Sequence, residues 1–132
     1  MQLSEMHFSE EASRKLSQMK GRTGLKPNIL ARIGFCLSLE NPGQPDPADY
    51  EGTGYINIKR HVLTGIYDPL FMALIKERCH QDSLPESEIA TQFKAHMNRG
   101  VLLLHKKLKS LDGLLLTLPP EMRRNAEASP NG

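Results

Sequence analysis

Hydrophobic and polar residues alternate at the start of the chain and then change to a helical spacing. The segment Gln2–Phe8 alternates, which predicts a short strand. Apolar residues then recur at i, i+4 and i+7 (Ala12, Leu16 and Met19), and Ser9 stands where a helix N-cap is expected. The pattern therefore predicts a strand followed by an amphipathic helix.

A glycine-bearing turn separates this helix from a second one. Gly21 suits the left-handed backbone that often follows a helix, and Pro27 suits the first turn of the next helix. The apolar face of the second helix is predicted from Leu30, Ile33 and Leu37, widened by Ile29 and Cys36. A strand, a helix, a turn and a helix within so few residues suggest a chain that must dimerise to bury its apolar surface.

The middle of the chain alternates between breaks and regular segments. Segment 41–47 contains three prolines, which remove donors and fix φ, so a loop is predicted. Segment 55–59 alternates and predicts a short extended stretch. A third helix is predicted from Asp68 as N-cap and Pro69 in the first turn to a point near His80.

Helical spacing dominates the rest of the chain. Ser83 and Glu86 match a capping box, which predicts a helix that runs through 89–97 towards Gly100. Apolar residues then recur through 101–111, so the basic residues of that segment lie mostly off the apolar stripe. We predict a single domain over residues 3–118 and a flexible tail over residues 119–132.

The net charge of +2 is too small to indicate nucleic-acid binding, but the charges are segregated along the chain. Segment 89–111 carries several basic residues and no acid, whereas 41–53 carries three acids and no base. One face is therefore predicted to be basic. The start of the chain lacks the features of a signal peptide, and no apolar run could span a bilayer, so we expect a cytoplasmic chain without membrane contact. Cys36 and Cys79 are expected to be reduced and partly buried.

Residues suited to catalysis are poorly arranged in the sequence. The histidines lack the spacing of a zinc site, and no phosphate-binding loop or nucleophile elbow occurs. Asp46, Asp49 and Glu51 could hold magnesium for nuclease chemistry, but a mobile proline-rich loop would position it poorly. We therefore predict no catalytic residue, no metal and no cofactor, and expect a protein that binds or assembles.

Segment 3–39 resembles the ribbon-helix-helix fold, in which N-terminal strands of two chains pair as a ribbon. The resemblance implies a mainly α fold: a strand and two helices, then a short extended segment and further helices. It also implies a phosphate contact at the turn and at the start of the second helix, here Arg22, Thr23, Lys26 and Asn28. The outward strand face offers no arginine or lysine to read bases, so we expect contact with the DNA backbone.

Three further segments extend the resemblance over residues 3–112. They are 58–65 (IKRHVLTG), 68–71 (DPLF) and 96–100 (HMNRG). In this order and spacing they resemble the DndE family of DNA sulphur modification proteins. The resemblance implies a small cytoplasmic bacterial subunit of the DNA phosphorothioation machinery. Its expected co-workers are cysteine desulfurase, sulphurtransferase and ATPase-like proteins.

From these observations we predict a non-catalytic subunit that grips the backbone of double-stranded DNA, intact or nicked. The alternatives are a ribbon-helix-helix transcriptional regulator and a DNA-nicking enzyme of the same pathway. An even homo-oligomer, such as a homotetramer, is expected. Gly21 and Gly24 allow close approach of another backbone, so their turn is assigned to the subunit interface, with contact to DNA as the alternative. The predicted nucleic-acid-binding residues are Lys15, Lys20, Arg22, Lys26, Asn28, Lys94, Arg99, Lys106 and Lys107.

Overall fold

Helices form most of the chain in the computed structural model, which describes residues 2–121. The elements are β1 (Glu5–His7), α1 (Glu10–Thr23), α2 (Pro27–Glu40), β2 (Asn57–Lys59), α3 (Arg60–Thr64), α4 (Asp68–Gln81) and α5 (Ile89–Leu115). Short 3-10 turns lie at Pro47–Tyr50, Gly65–Tyr67 and Glu86–Glu88. The predicted fold class is confirmed: a mainly α chain that opens with a strand and two helices. The predicted tail lies largely outside the described residues.

The first helix begins as predicted but ends later. Ser9 caps it, since its Oγ accepts a hydrogen bond from the backbone N–H of Ala12 at 3.1 Å. The predicted end at Gly21 is wrong, because Gly24 takes the left-handed conformation (φ 75°) and donates its N–H to the carbonyl of Lys20. Gly21 thus lies inside α1.

The N-terminal strand pairs with a strand of its own chain. β1 and β2 are antiparallel, with Met6 opposite Ile58. Met6 and Phe8 have no exposed surface within the single chain. β2 and the helices cover these two side chains, so their burial needs no second chain, contrary to the prediction. The oligomeric state itself stays a prediction.

A close helix crossing organises the core. The backbones of α2 and α5 meet at Gly34 and Gly100, where a Cβ added to Gly34 would lie 2.6 Å from the carbonyl carbon of Gly100. The predicted helix end at Gly100 is wrong, since α5 continues without a break to Leu115. The glycine serves the packing of two helices, which only glycine permits at this separation.

The buried face of α2 is rotated from the predicted one. Phe35 is fully buried between the rings of Phe71 and Phe93, at centroid distances of 5.3 and 5.4 Å. Ile33 is 43% exposed and Cys36 is also exposed, so the predicted face was wrong at these positions. The close crossing with α5 at Gly34 turns a different side of α2 inwards, and the buried residues are Leu30, Ala31, Gly34, Phe35 and Ser38.

Two predicted helix caps are also corrected. Ser83 forms no capping box, because it takes a left-handed backbone (φ 57°) and its N–H bonds to the carbonyl of His80. Asp68 is the first residue of α4, not its cap, and its carboxylate accepts two hydrogen bonds from Arg60, each 2.9 Å long. Pro69 does lie in the first turn, as predicted.

Candidate nucleic-acid interface

The predicted cations do not form one face in the single chain. Lys20, Lys26 and Asn28 line a groove of about 580 Å³ between the α1–α2 turn and β2, which we call the turn groove. Arg22 lines a second groove of about 570 Å³ between the C-terminal ends of α1 and α5, the helix-end groove. The structure thus brings together part of the predicted set and separates the rest.

Two lysines of the turn groove form no ion pair with a carboxylate of residues 2–121. Lys20 and Lys26 are exposed, and within residues 2–121 neither has a carboxylate oxygen within 4.0 Å. Lys26 is also the N-cap of α2 and forms no side-chain cap hydrogen bond. The start of α2 therefore adds its positive dipole end to the two ammonium groups, while Pro27 has no N–H and the N–H of Ile29 bonds to the carbonyl of Lys26.

The opposite wall of the turn groove contains residues that the sequence prediction missed. Lys59 and Asn57 of β2 both line the groove and both contact Glu5, at 3.8 Å from Nζ and 3.0 Å from Nδ2 to the same carboxylate oxygen. Glu5 therefore offsets part of the charge of Lys59. The alternation in 55–59 could have identified these residues, because it places Tyr55, Asn57 and Lys59 on the side opposite to the buried Ile58.

Asn28 has a contact inside the protein. Its Nδ2 donates a hydrogen bond of 3.2 Å to the carbonyl oxygen of Val62, which ties the start of α2 to α3. Arg32 donates to the same carbonyl at 3.0 Å and to that of Leu63 at 2.6 Å. These bonds fix one wall of the turn groove to the body of the molecule.

The helix-end groove gathers further positive charge around a histidine. Burial and then the charges of Lys15, Lys109 and Arg22 lower the pKa of His105 below its ordinary value. Arg22 also forms an ion pair with Asp112, so its charge is shared across the groove. Lys15 and Arg22, predicted from the sequence, therefore both lie close enough to His105 to lower its pKa.

The other predicted lysines lie elsewhere. Lys106 and Lys107 line a groove of about 390 Å³ beside Leu37 and Glu40. Lys94 lines another, of about 320 Å³, with Tyr50. The structure does not bring these three lysines to the turn groove.

Arg99 is occupied by the protein itself. Its guanidinium donates to the Oγ and the carbonyl oxygen of Ser38, at 2.8 Å each, and to the carbonyl oxygen of Gly43 at 2.6 Å. Arg78 donates to the same Gly43 carbonyl at 2.9 Å. Two buried or half-buried cations thus hold the loop that follows α2.

The neighbours of Arg99 are buried as well. His96 has no exposed surface, and its Nδ1 lies 2.8 Å from the Oγ of Ser38. Burial and the charges of Arg99 and Arg78 lower the pKa of His96 to about 4. Asn98 accepts a 2.8 Å hydrogen bond from the N–H of Ser9, which links α5 to the start of α1.

The two glycines proposed for a subunit contact face open space. A Cβ added to Gly21 or Gly24 would meet nothing within 4 Å. Gly24 needs its left-handed backbone, whereas Gly21 lies in helical backbone and lines the helix-end groove. The chain itself gives no steric reason for glycine at position 21.

The thiols and acids offer little for chemistry. Cys36 and Cys79 are free. Burial raises the pKa of the Cys79 thiol, and loss of part of its hydration together with the charge of Glu40 raises that of Cys36. Cys36 is exposed instead of partly buried, which corrects that expectation. Asp46 accepts a hydrogen bond from the N–H of Ala48 and so caps the 3-10 turn of its loop. Within residues 2–121, no three His, Cys, Asp or Glu side chains are grouped as a metal site requires.

No helix between residues 2 and 121 is both long and apolar enough to cross a bilayer.

Comparison with known proteins gives matches to one family. Residues 5–112 match the family model described as DNA sulphur modification protein DndE. The crystal structure of DndE from Escherichia coli B7A, involved in DNA phosphorothioation modification, is 24% identical, with a TM-score of 0.62 over 76% of this chain and 97% of that one. No curated protein matches the sequence.

A second solved structure is similar to the same extent. It is a DndE mutant involved in DNA phosphorothioation in which two glycines are replaced by lysine. It is 23% identical, with a TM-score of 0.63 over 79% of this chain and 99% of that one. At these identities the two structures establish a shared fold.

Proposed function

We propose that this chain, which belongs to the family of the DNA sulphur modification protein DndE, is a non-catalytic subunit that binds DNA in a phosphorothioation complex. The observation that carries the proposal is the turn groove, where Lys20 and Lys26 lie beside the start of α2 and neither pairs with a carboxylate of residues 2–121. Phosphate is the anion that such a site suits best.

Backbone contact agrees better with this groove than base reading does. Lysine ammonium groups and helix N-termini contact phosphates, which occur in every sequence. Glu5 on β1 would meet DNA as a repulsive charge if this strand entered a groove of the duplex. We therefore propose binding to double-stranded DNA, intact or nicked, with weak sequence preference.

The non-catalytic role is supported by the state of the candidate nucleophiles and bases. The thiols of Cys36 and Cys79 have raised pKa values, which keeps them protonated near neutral pH. His96 is sealed inside the core and hydrogen-bonded to Ser38. We propose that the chemical step belongs to other subunits of the machinery, with this chain at work beside DNA in the bacterial cytoplasm.

Neutralising the turn groove should weaken DNA binding and its salt dependence. For the double variant Lys20→Ala and Lys26→Ala, we expect the affinity for a duplex to fall about tenfold at low salt. The slope of log K against log salt should become shallower by about 1.8, since two phosphate contacts are lost. Fluorescence anisotropy titrations at several salt concentrations measure both quantities.

Several outcomes of this assay would contradict the proposal. The single variant Lys76→Ala, which removes an exposed lysine of α4 outside the grooves, should leave the slope unchanged. An unchanged slope in the double variant, or no duplex retention by the wild type in dilute buffer, would refute the proposed binding to the DNA backbone.

The two alternative functions predict other results. Strong discrimination against scrambled duplexes would favour a transcriptional regulator. In a separate assay, the protein would be a nicking enzyme if it relaxed supercoiled plasmid and if both a chelator and substitution of Asp46 and Asp49 abolished this activity.

We also propose an even homo-oligomer, such as a tetramer, with α1 near Gly21 at the subunit contact. Glycine inside a helix costs about 1 kcal/mol relative to alanine. Among residues 2–121 of one chain, no steric contact requires glycine at this exposed position. Close approach of another subunit would explain the residue.

Enlarging position 21 tests this contact. We expect Gly21→Lys to lower the solution mass measured by size-exclusion chromatography with light scattering, and Gly21→Ala to keep it. An unchanged mass for Gly21→Lys would refute the interface. Duplex retention by the same variants shows whether this turn instead contacts DNA, in which case the lysine variant would bind more tightly without changing its mass.

A further inference from the structure

Tyr55 is an exposed aromatic residue held in a fixed place. Its side chain is 70% exposed, so the ring adds little to the hydrophobic core. Its hydroxyl nevertheless lies 3.2 Å from the carbonyl oxygen of Ser13 and 2.7 Å from the Oγ of Ser17. The phenol end is thus tied to α1 while much of the ring faces solvent.

The backbone around Tyr55 is fixed as well. The N–H of Ile56 donates to the Oγ of Ser13 at 3.2 Å, and the N–H of Gly54 donates to the carbonyl of Phe8 at 2.7 Å. Gly54 packs so closely on α1 that an added Cβ would lie 2.5 Å from the carbonyl oxygen of Ser9. A ring held in this way loses little conformational entropy when a ligand binds to it.

The surroundings of the ring select the ligand. Tyr55 lines the turn groove together with Lys20, Lys26 and Lys59. Exposed aromatic rings beside lysines are the arrangement with which proteins bind unpaired nucleotides, since a base stacks on the ring while cations hold the flanking phosphates. In an uninterrupted duplex the faces of the bases are hidden in the helical stack.

We propose that Tyr55 stacks on an unpaired nucleobase in the turn groove, while Lys20 and Lys26 hold the adjoining phosphates. Lys59 adds a weaker charge, because Glu5 lies 3.8 Å from its Nζ. The chain then prefers DNA that contains an unpaired nucleotide over the same duplex without one. This proposal rests on the DNA-binding function proposed above and names the feature of the DNA that is recognised.

The test compares two DNA probes and three variants. One probe is an uninterrupted duplex, and the other is the same duplex with a single unpaired 2-aminopurine. We expect the wild type to bind the second probe about tenfold more tightly and to quench its fluorescence by stacking. Tyr55→Phe, which keeps the ring but loses the hydroxyl contacts, should retain most of the preference and the quenching.

Tyr55→Leu and Tyr55→Ala should lose both the preference and the quenching. Circular dichroism melting verifies that each variant is folded, and Tyr55→Leu keeps apolar bulk without an aromatic face. A wild type without preference, or a leucine variant that retains it, would overturn the role of Tyr55 and leave the backbone grip standing. Failure of the wild type to bind either probe would overturn the proposed function itself.

Discussion

Gly100→Ala is expected to lower the free energy of unfolding by about 3 kcal/mol or more, because the added methyl group would overlap the backbone of α2. A Cβ at this position would lie against the carbonyl of Gly34 and 2.7 Å from the backbone nitrogen of Phe35. Backbone atoms of a packed helix cannot move aside as a flexible side chain can, so α2 and α5 must separate. Equilibrium urea denaturation measures the loss.

A second glycine of the same helix provides the matched control. Gly113 also lies in α5, but a Cβ there would meet nothing within 4 Å. Gly113→Ala should therefore raise the stability by up to about 1 kcal/mol through helix propensity alone. Equal stability of Gly100→Ala and the wild type would mean that the two helices do not cross as closely as described. Gly34→Ala should repeat the loss from the other side of the contact.

This crossing also shows what the sequence can and cannot predict. Local signals such as the cap at Ser9, the proline at position 27 and the alternation in 55–59 predicted the elements, because they act within a few residues. A glycine within a helical pattern has two local explanations, a helix end or a close contact. Only the partner, 66 positions away along the chain, decides between them. The same reason explains the rotated face of α2.

The candidate site was predicted only in part for a related reason. Lys20 and Lys26 follow from the turn and from the start of α2, which are local features. Lys59 and Tyr55 were missed because the pairing of β2 with β1 brings them beside that turn. Arg99 reads as a surface cation in the sequence, yet the carbonyl groups that occupy it lie on a loop far from it along the chain. Long-range pairing therefore limits the prediction in each case.

Acid should destabilise the protein through His96 well before most carboxylates are protonated. The Oγ of Ser38 accepts a hydrogen bond from Arg99 and lies 2.8 Å from the Nδ1 of His96, so a guanidinium shares the hydroxyl that the buried imidazole contacts. Burial and the charges of Arg99 and Arg78 lower the pKa of His96 in the folded protein to about 4, whereas an unfolded histidine titrates near 6.5. The unfolded chain therefore binds the extra proton first.

The sign of the pH dependence follows from this difference. The stabilisation is complete above about pH 6.5, decreases as the pH falls towards about 4, and amounts to about 3 kcal/mol in total. Urea denaturation between pH 7.5 and 4.5 should show this slope in the wild type. His96→Gln cannot titrate and should lose most of the slope, whatever its stability at pH 7.5.

Two other groups with shifted pKa values, His105 and Asp68, contribute less to the slope in this pH range. The pKa of His105 is also lowered, by burial and then by its neighbouring cations, and His105→Gln should remove only a small part of the slope. Arg60 lowers the pKa of Asp68, so that carboxylate loses its contribution only below the measured range. If His96→Gln kept the wild-type slope while His105→Gln lost it, the buried imidazole would not be the acid-sensitive group. The stability of the loop that Arg78 and Arg99 hold would then not depend on a neutral His96.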